Sequence, residues 1–282
     1  MSILPDWLEE KAQQASGKAN TKQTEMVQLP LWKDLERAIP NHLARSSLFA
    51  PIARGRRKLH DRVELASRRD VRIFYTGKQL DERDRDVFMQ ALHTAQQHPL
   101  GESTVINRAA FLRSIGRKTS GQEYKMLHES FERLWSGGLI IETKHYQIGN
   151  HPKSRAMHLL DSFDYLPEEG EYQLRIDPRM KMLFSNREFA LVCWEKRFQI
   201  SKQVDMAKWL QCLIATSDNK IQRYALDDLK ERMQYASPMR KFREAIRAAF
   251  DELKRLHIVR RPRIETGKSG KEQIVFERVI TL

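Results

Sequence analysis

The residues most suggestive of chemistry are basic side chains spaced along one predicted helix near the C-terminus. They are Arg240, Lys241, Arg243, Arg247 and Lys254. At 100° per residue, all but Lys241 fall on one side of the helix, opposite an apolar stripe of Phe242, Ile246, Ala249, Leu253 and Leu256. A guanidinium group can bind guanine O6 and N7, or a phosphate, through two hydrogen bonds. The pattern therefore predicts DNA contact, and the alternative is the solvated face of a structural helix.

Two further basic sets are candidates for phosphate contact. The first lies at the start and on the outer face of an earlier predicted helix, and comprises Arg117, Lys118, Thr119, Gln122 and Lys125. Glu129 and Glu132 share that face, so we expect weaker contacts from it, mostly to phosphates. The second is Arg56, Arg57 and Lys58, in a stretch from 45 to 72 that holds nine basic and three acidic residues. Such charge runs are also typical of a solvated surface.

Patterns typical of enzymes are weak in this chain. Gly267-Lys268-Ser269 resembles the end of a phosphate-binding loop, but Pro262 stands where the earlier glycine is required. His145, His151 and His158 lie in a predicted β region without the spacing of a metal site or a general base. We therefore predict a protein without catalytic activity, and expect no metal site and no cofactor.

Composition favours a polyanionic partner. The 282 residues carry a formal net charge of +13 at pH 7. The two cysteines, Cys193 and Cys212, lie in apolar stretches without the spacing of a metal motif, which predicts two buried, reduced thiols. No apolar run approaches 18 residues and the N-terminus lacks a secretory pattern, so we expect a cytoplasmic protein that does not contact the membrane.

The elements that would position these residues occur in the same order twice. Asp81 begins a helical pattern, Asn107 is a predicted cap of a short helix, and Thr119 or Ser120 is a predicted cap of a long helix followed by strands. Downstream the order repeats. A shift of 119 residues aligns Leu127 with Ile246, Phe131 with Phe250, Leu134 with Leu253 and Leu139 with Ile258. We interpret this as an internal repeat.

Helices followed by a β-hairpin are typical of the winged helix, which places its last helix in the major groove. We therefore predict an α+β protein with two tandem winged-helix domains, each a helix-turn-helix with a β-hairpin. The expected boundaries are a flexible N-terminal arm over 1–48, a first winged-helix domain over 49–188 and a second over 189–282.

The order of several short motifs resembles one family. Phe49-Ala50-Pro51-Ile52, Tyr75 to Asp81, Trp194-Glu195-x-Arg197, Ala207 to Leu210 and Arg240 to Arg243 are similar to segments of TrfA-type plasmid replication initiators. The resemblance covers about 49–282. It implies a protein that binds repeated origin sites (iterons), promotes opening of the adjacent A·T-rich duplex and recruits the host helicase.

A second resemblance concerns the predicted arm. Gln28-Leu29-Pro30-Leu31-Trp32 is similar to the pentapeptide by which such proteins bind the sliding clamp, with Trp32 in place of phenylalanine. In this interpretation Gln28, Leu29, Leu31 and Trp32 contact the clamp, with the apolar side chains in a pocket. The alternative is an apolar lead-in to a helix over 33–39.

The sequence-based hypothesis is therefore a plasmid replication initiator, and the alternative is a winged-helix transcriptional repressor. The expected partners are double-stranded origin DNA, with single-stranded DNA as a further candidate, the host replicative helicase, DnaA and the sliding clamp. A monomer–dimer equilibrium is also expected. The clamp-like motif and the arm favour initiation, because repression needs only operator binding.

Overall fold

The computed structural model describes residues 28–52, 57–149, 155–201 and 204–279. The helices of these residues are α1 Asn41–Ala44, α2 Glu82–Ala95, α3 Arg108–Ser114, α4 Gly121–Ser136, α5 Met180–Phe184, α6 Trp194–Gln199, α7 Asp205–Ala215, α8 Leu226–Arg232 and α9 Met239–Arg255. The strands are β1 Glu36–Pro40, β2 Leu59–Leu65, β3 Arg72–Lys78, β4 Ser103–Asn107, β5 Gly138–Glu142, β6 Gln147–Ile148, β7 Met157–His158, β8 Ser162–Leu166, β9 Glu171–Arg175, β10 Phe189–Cys193, β11 Ile221–Ala225, β12 Val259–Thr266 and β13 Glu272–Arg278.

The larger of two apolar cores lies between three sheets and helices α2 to α5. One sheet runs β2-β3-β5-β6 with β7 also paired to β5, another runs β4-β9-β8, and the third pairs β1 with β10. Phe88, Phe131 and Ile141 are fully buried in it. We call this part of the molecule the first unit.

The second core is smaller and belongs to the C-terminal elements. Helices α7, α8 and α9 pack against the antiparallel sheet β11-β13-β12. Trp209, Phe242 and Phe250 are buried there, and the core spans residues from Ile200 to Phe276. We call this part the second unit.

The predicted repeat matches the packing of the two long helices. All eight residues aligned by the 119-residue shift are buried, four in each core. Asn107 caps α3 by accepting hydrogen bonds from the backbone of Ala109 and Ala110, and Ser120 caps α4. The sheets differ, however. In the second unit β11 pairs with the hairpin strand β13, whereas β4 pairs with β9 and β5 pairs mainly with β3.

The expectation of a flexible arm over 1–48 is wrong for residues 28–48. β1 pairs along its whole length with β10, and Ile39 and Leu43 are fully buried in the first core. The alternative of a helix over 33–39 is also wrong, because residues 36–40 form β1. Residues 28–48 contain more apolar side chains than the polar stretch that precedes them, and these apolar side chains can be buried. Residues 1–27 lie outside the described residues.

The expected boundary at residue 189 is also wrong. β10 completes the small sheet of the first unit, and Trp194 on α6 is buried in the first core. The second core begins only at Ile200. Helix α7 contacts both cores, because Cys212 belongs to the first core and its neighbours to the second. The expectation that both cysteines are buried is wrong for Cys193, which is exposed at the end of β10.

Candidate nucleic-acid interface

Helix α9 has the two opposed faces that its sequence predicts. Phe242, Ile246 and Leu253 are fully buried in the second core. Arg240, Arg247 and Lys254 are exposed on the opposite face, and 74% of the Arg240 side chain is accessible. Pro238 precedes the first helical residue and makes no side-chain capping hydrogen bond, and Arg240 and Lys241 in the first turn are exposed. The helix can therefore offer its cations to a ligand without disturbing the core.

Acidic residues engage part of this cationic face. Glu244 lies 3.2 Å from Arg240 Nη1 and 3.1 Å from Lys241 Nζ. Arg243 is half-buried and lies 2.8 Å from Glu272, which ties α9 to β13. Arg247 and Lys254 have no ion pair within the described residues. These two are the cations most readily available to a phosphate.

The hairpin of β12 and β13 extends beside α9. Arg261 lies at a bulge with φ of +51°, and 80% of its side chain is exposed although Nη1 contacts Glu277 at 3.1 Å. Lys268 and Lys271 are exposed at the turn between the strands. The hairpin thus adds basic side chains to the basic surface that α9 presents.

The candidate residues around α4 are mostly exposed, as predicted. Lys118, Thr119, Gln122 and Lys125 are all exposed. Arg117 is half-buried, and its Nη2 donates to the carbonyl of Arg83 at 3.3 Å. This set therefore offers fewer cations than α9.

The 56–58 run contributes less than its charge suggests. Arg57 Nη2 lies 2.5 Å from Asp81 and its Nη1 lies 2.9 Å from Asp84, the two carboxylates of the capping box that begins α2. The charge of Arg57 is thus paired with two carboxylates of the protein, and its phosphate contact stays a prediction. Lys58 is exposed, and Arg56 lies outside the described residues.

The clamp-like segment is packed against the first unit. Leu29 is 3% and Trp32 8% exposed, and the Trp32 ring stacks on Phe184 at 6.1 Å between centroids. Gln28 Nε2 donates to the Gln96 carbonyl at 3.0 Å, and the Trp32 backbone N–H donates to Gln96 Oε1 at 3.1 Å. Gln28, Pro30 and Leu31 are exposed. Leu29 and Trp32 are thus not available to a partner in this arrangement.

Sequence reasoning missed a buried ionic cluster where the two units meet. Arg197 is fully buried and binds Glu82 and Asp86 of α2, while Lys208 of α7 also binds Asp86. Burial raises the pKa of Glu82, whereas the two cations hold the pKa of Asp86 well below its usual range despite its burial. The only signal in the sequence was that Arg197 and Lys208 lie in motifs that carry the resemblance.

A cleft of about 600 Å³ opens beside this cluster. Its lining includes six basic residues: Arg57, Arg83, Arg117, Lys118, Arg133 and Lys208.

Within the described residues, no group of three or more His, Cys, Asp or Glu side chains is arranged to hold a metal ion. None of the described helices is both long and apolar enough to cross a membrane.

Comparison with known proteins agrees with the resemblance seen in the sequence. The Escherichia coli "plasmid replication initiator protein TrfA" is 28% identical to this chain over 200 residues, which are 68% of this chain and 52% of the relative. The chain thus spans about half the length of the curated relative that it matches. The E. coli protein is what this chain is similar to in sequence.

Two solved structures are similar in fold. A crystal structure of domains 2 and 3 of RctB has a TM-score of 0.57 at 15% identity, and the match covers 86% of this chain and 99% of that one. A second structure of RctB domains 2-3 has a TM-score of 0.50 at 16% identity, with 82% and 95% covered. The TrfA protein family model matches residues 7–266 of this chain. With nearly the whole chain matched, the protein belongs to the TrfA family.

Proposed function

We propose that this chain is a non-enzymatic, sequence-specific DNA-binding protein that initiates plasmid replication. The observation that carries the proposal is the exposed cationic face of α9, set opposite a fully buried apolar stripe. Arginines on such a face match guanine edges and phosphates. Membership of the TrfA family supports replication initiation as the role of this binding.

The second unit would bind as a winged helix. The order α7, β11, α8, α9, β12, β13, with β13 between β11 and β12, supports this proposal, because a winged helix combines a helix-turn-helix with a β-hairpin. In this geometry α9 enters the major groove and the β12–β13 hairpin approaches the backbone. The first unit has the same order of helices, and we propose that it is the first of two tandem winged helices, with mainly phosphate contacts and a role in self-association.

The proposed cellular role follows the family. The protein would bind iterons in a plasmid origin, promote opening of the adjacent A·T-rich duplex and recruit the host helicase, DnaA and the sliding clamp. Clamp binding through Gln28, Leu29, Leu31 and Trp32 would require this segment to leave its site, because Leu29 and Trp32 are buried.

This burial bears on the alternative of a winged-helix repressor. The clamp-like segment was the sequence feature that favoured initiation, and it is packed as a structural element. The preference for an initiator therefore rests on family membership. Origin-dependent replication of a reporter plasmid separates the two functions, because a repressor would bind its site without supporting replication.

The test of DNA binding is footprinting of the purified protein on its own plasmid, followed by mobility-shift titrations on the protected duplex. The variant Arg247→Ala plus Lys254→Ala removes the two cations of α9 that have no ion pair within the described residues. We expect at least tenfold weaker binding, since specific arginine contacts contribute about 1–3 kcal/mol each. Lys181→Ala, an exposed residue of α5, is the control. Equal affinity of both variants would refute the assignment of α9.

A further inference from the structure

Five charged side chains are buried together where the first unit meets the second. They are Glu82, Arg85, Asp86, Arg197 and Lys208. The first four are at most 2% exposed, and only Lys208 reaches solvent, with 18% of its side chain accessible. The two cores consist of apolar side chains, so apolar packing does not explain why these charged side chains are buried.

The contacts in this cluster join elements of both units. Arg197 Nη2 lies 2.7 Å from Glu82 and its Nε 2.5 Å from Asp86, both on α2 of the first unit. Its Nη1 donates to the Lys208 carbonyl on α7 at 3.1 Å. Lys208 Nζ lies 2.7 Å from the second oxygen of Asp86. A single arginine therefore bridges α2 and α7, and the lysine closes the cluster.

Helix α7 carries this cluster into the second unit. Ala207, Trp209 and Leu210, on either side of Lys208, are buried in the second core. Because α7 is packed into the second core, its orientation relative to the first unit sets the orientation of the whole second unit. Arg45, which binds the side chain and carbonyl of Thr216 just after α7, adds a further contact between the units.

Buried ions constrain geometry more strictly than apolar side chains. Apolar contact is non-directional and tolerates small rotations. A rotation of α7 would instead leave Asp86 or Lys208 unpaired away from water, which is costly because the desolvation of a charge is then uncompensated. The cluster therefore favours one angle between the units over its neighbours.

We infer that Arg197 and Lys208 are positioning residues that set the angle between the two units, and thereby the spacing between the DNA segments that the protein binds. The inference rests on the proposed function in one respect, that both units bind one duplex. The angle itself can be measured without DNA.

The first measurement is a distance distribution by pulsed EPR. Spin labels at Glu169→Cys in the first unit and Asp251→Cys on α9, in a Cys193→Ser background, report the angle, since all three positions are exposed. We expect a narrow distribution for the otherwise unchanged chain and a clearly broader one for Lys208→Met. Lys181→Met removes the same charge from α5 and is expected to leave the distribution narrow.

The second measurement uses the duplex protected by the unsubstituted protein, with and without five base pairs inserted between the two protected segments. The insertion rotates one segment by about half a helical turn. We expect it to weaken binding by the unsubstituted protein about tenfold or more, and binding by Lys208→Met by less than about threefold, since a looser junction tolerates either spacing. The unsubstituted protein and Lys208→Met should bind the DNA segment that the second unit protects, presented alone, with equal affinity.

The outcomes are distinguishable. A distribution as narrow in Lys208→Met as in the unsubstituted chain would overturn the inference, as would an equal insertion penalty in the two proteins. Arg197→Met is a stronger perturbation. Lys208→Met is the deciding variant, because Asp86 remains paired with Arg197 when the lysine is removed. Failure to bind any duplex would refute the proposed function, and the EPR result would still decide whether the cluster sets the angle.

Discussion

Replacing Trp32 by alanine tests whether the segment before β1 is part of the first unit. Its indole is 8% exposed, stacks on Phe184 at 6.1 Å with an interplanar angle of 7°, and lies 6.3 Å from the His93 ring. Its neighbour Leu31 is 69% exposed. The two adjacent apolar residues of the clamp-like pentapeptide therefore differ sharply in their surroundings.

The expected cost follows from the area that Trp32 buries. A buried tryptophan removes up to about 250 Å² from water, which at about 25 cal/mol per Å² contributes at most about 6 kcal/mol. The indole Nε1 is buried without a hydrogen-bond partner among the described residues, which costs about 1–3 kcal/mol that truncation recovers. Trp32→Ala should therefore lower the free energy of unfolding by about 3 kcal/mol, and Leu31→Ala by less than about 0.5 kcal/mol.

Urea unfolding followed by far-UV circular dichroism measures both variants. This signal is preferable to fluorescence because the chain has five tryptophans. The midpoint should shift markedly for Trp32→Ala and remain unchanged for Leu31→Ala. If both variants unfold at the midpoint of the unsubstituted chain, residues 28–32 are a free arm and the packing described above is wrong in solution.

Further predictions concern the core of the second unit, pH and salt. Phe242→Ala should lower the free energy of unfolding by about 3–5 kcal/mol through a core cavity, whereas Arg247→Ala should leave it within about 0.5 kcal/mol. Equal urea midpoints for the two variants would contradict the assignment of the buried and exposed faces of α9. Burial lowers the pKa of His93 from 6.5 to about 4, so the contribution of His93 to the free energy of unfolding should be constant above pH 6.5 and fall as the pH drops towards 4. His93→Gln should lessen that fall in urea titrations at pH 7 and 4.5. DNA affinity should decrease steeply with salt, and a slope of log K against log salt equivalent to one or two phosphates would contradict binding by both units.

The second unit was largely predictable because its signals are local. The apolar residues of α9 recur every three or four positions. All five residues of the predicted stripe are buried, four of them in the helix and Leu256 just beyond its end. In the first unit, the caps at Asn107 and Ser120 were predictable for the same reason, because they depend on neighbours two or three residues away. Such features are determined within one or two helical turns, which a sequence displays directly.

The errors arose where distant residues decide the outcome. β1 exists because β10 pairs with it, and Glu36 and its partner Cys193 are far apart in sequence. The polar segment before it gave no indication of that partner. Likewise Arg57 was counted with its basic neighbours, although Asp81 and Asp84 neutralise it. A charge count gives every arginine the same weight, whereas in the folded protein Arg57 is paired with carboxylates.

Arg247 and Arg197 show why chemistry at a single position does not reveal its role. Both carry the same guanidinium, and both lie in helices. Arg247 is exposed opposite a buried stripe, so helical periodicity alone indicates a side chain available to a ligand. Arg197 binds Asp86, which is 111 residues away, and nothing in its own helix predicts that contact. The cations that we propose to bind DNA can therefore be identified from a local pattern, whereas the cations that we infer to orient the two units become apparent only once the chain is folded.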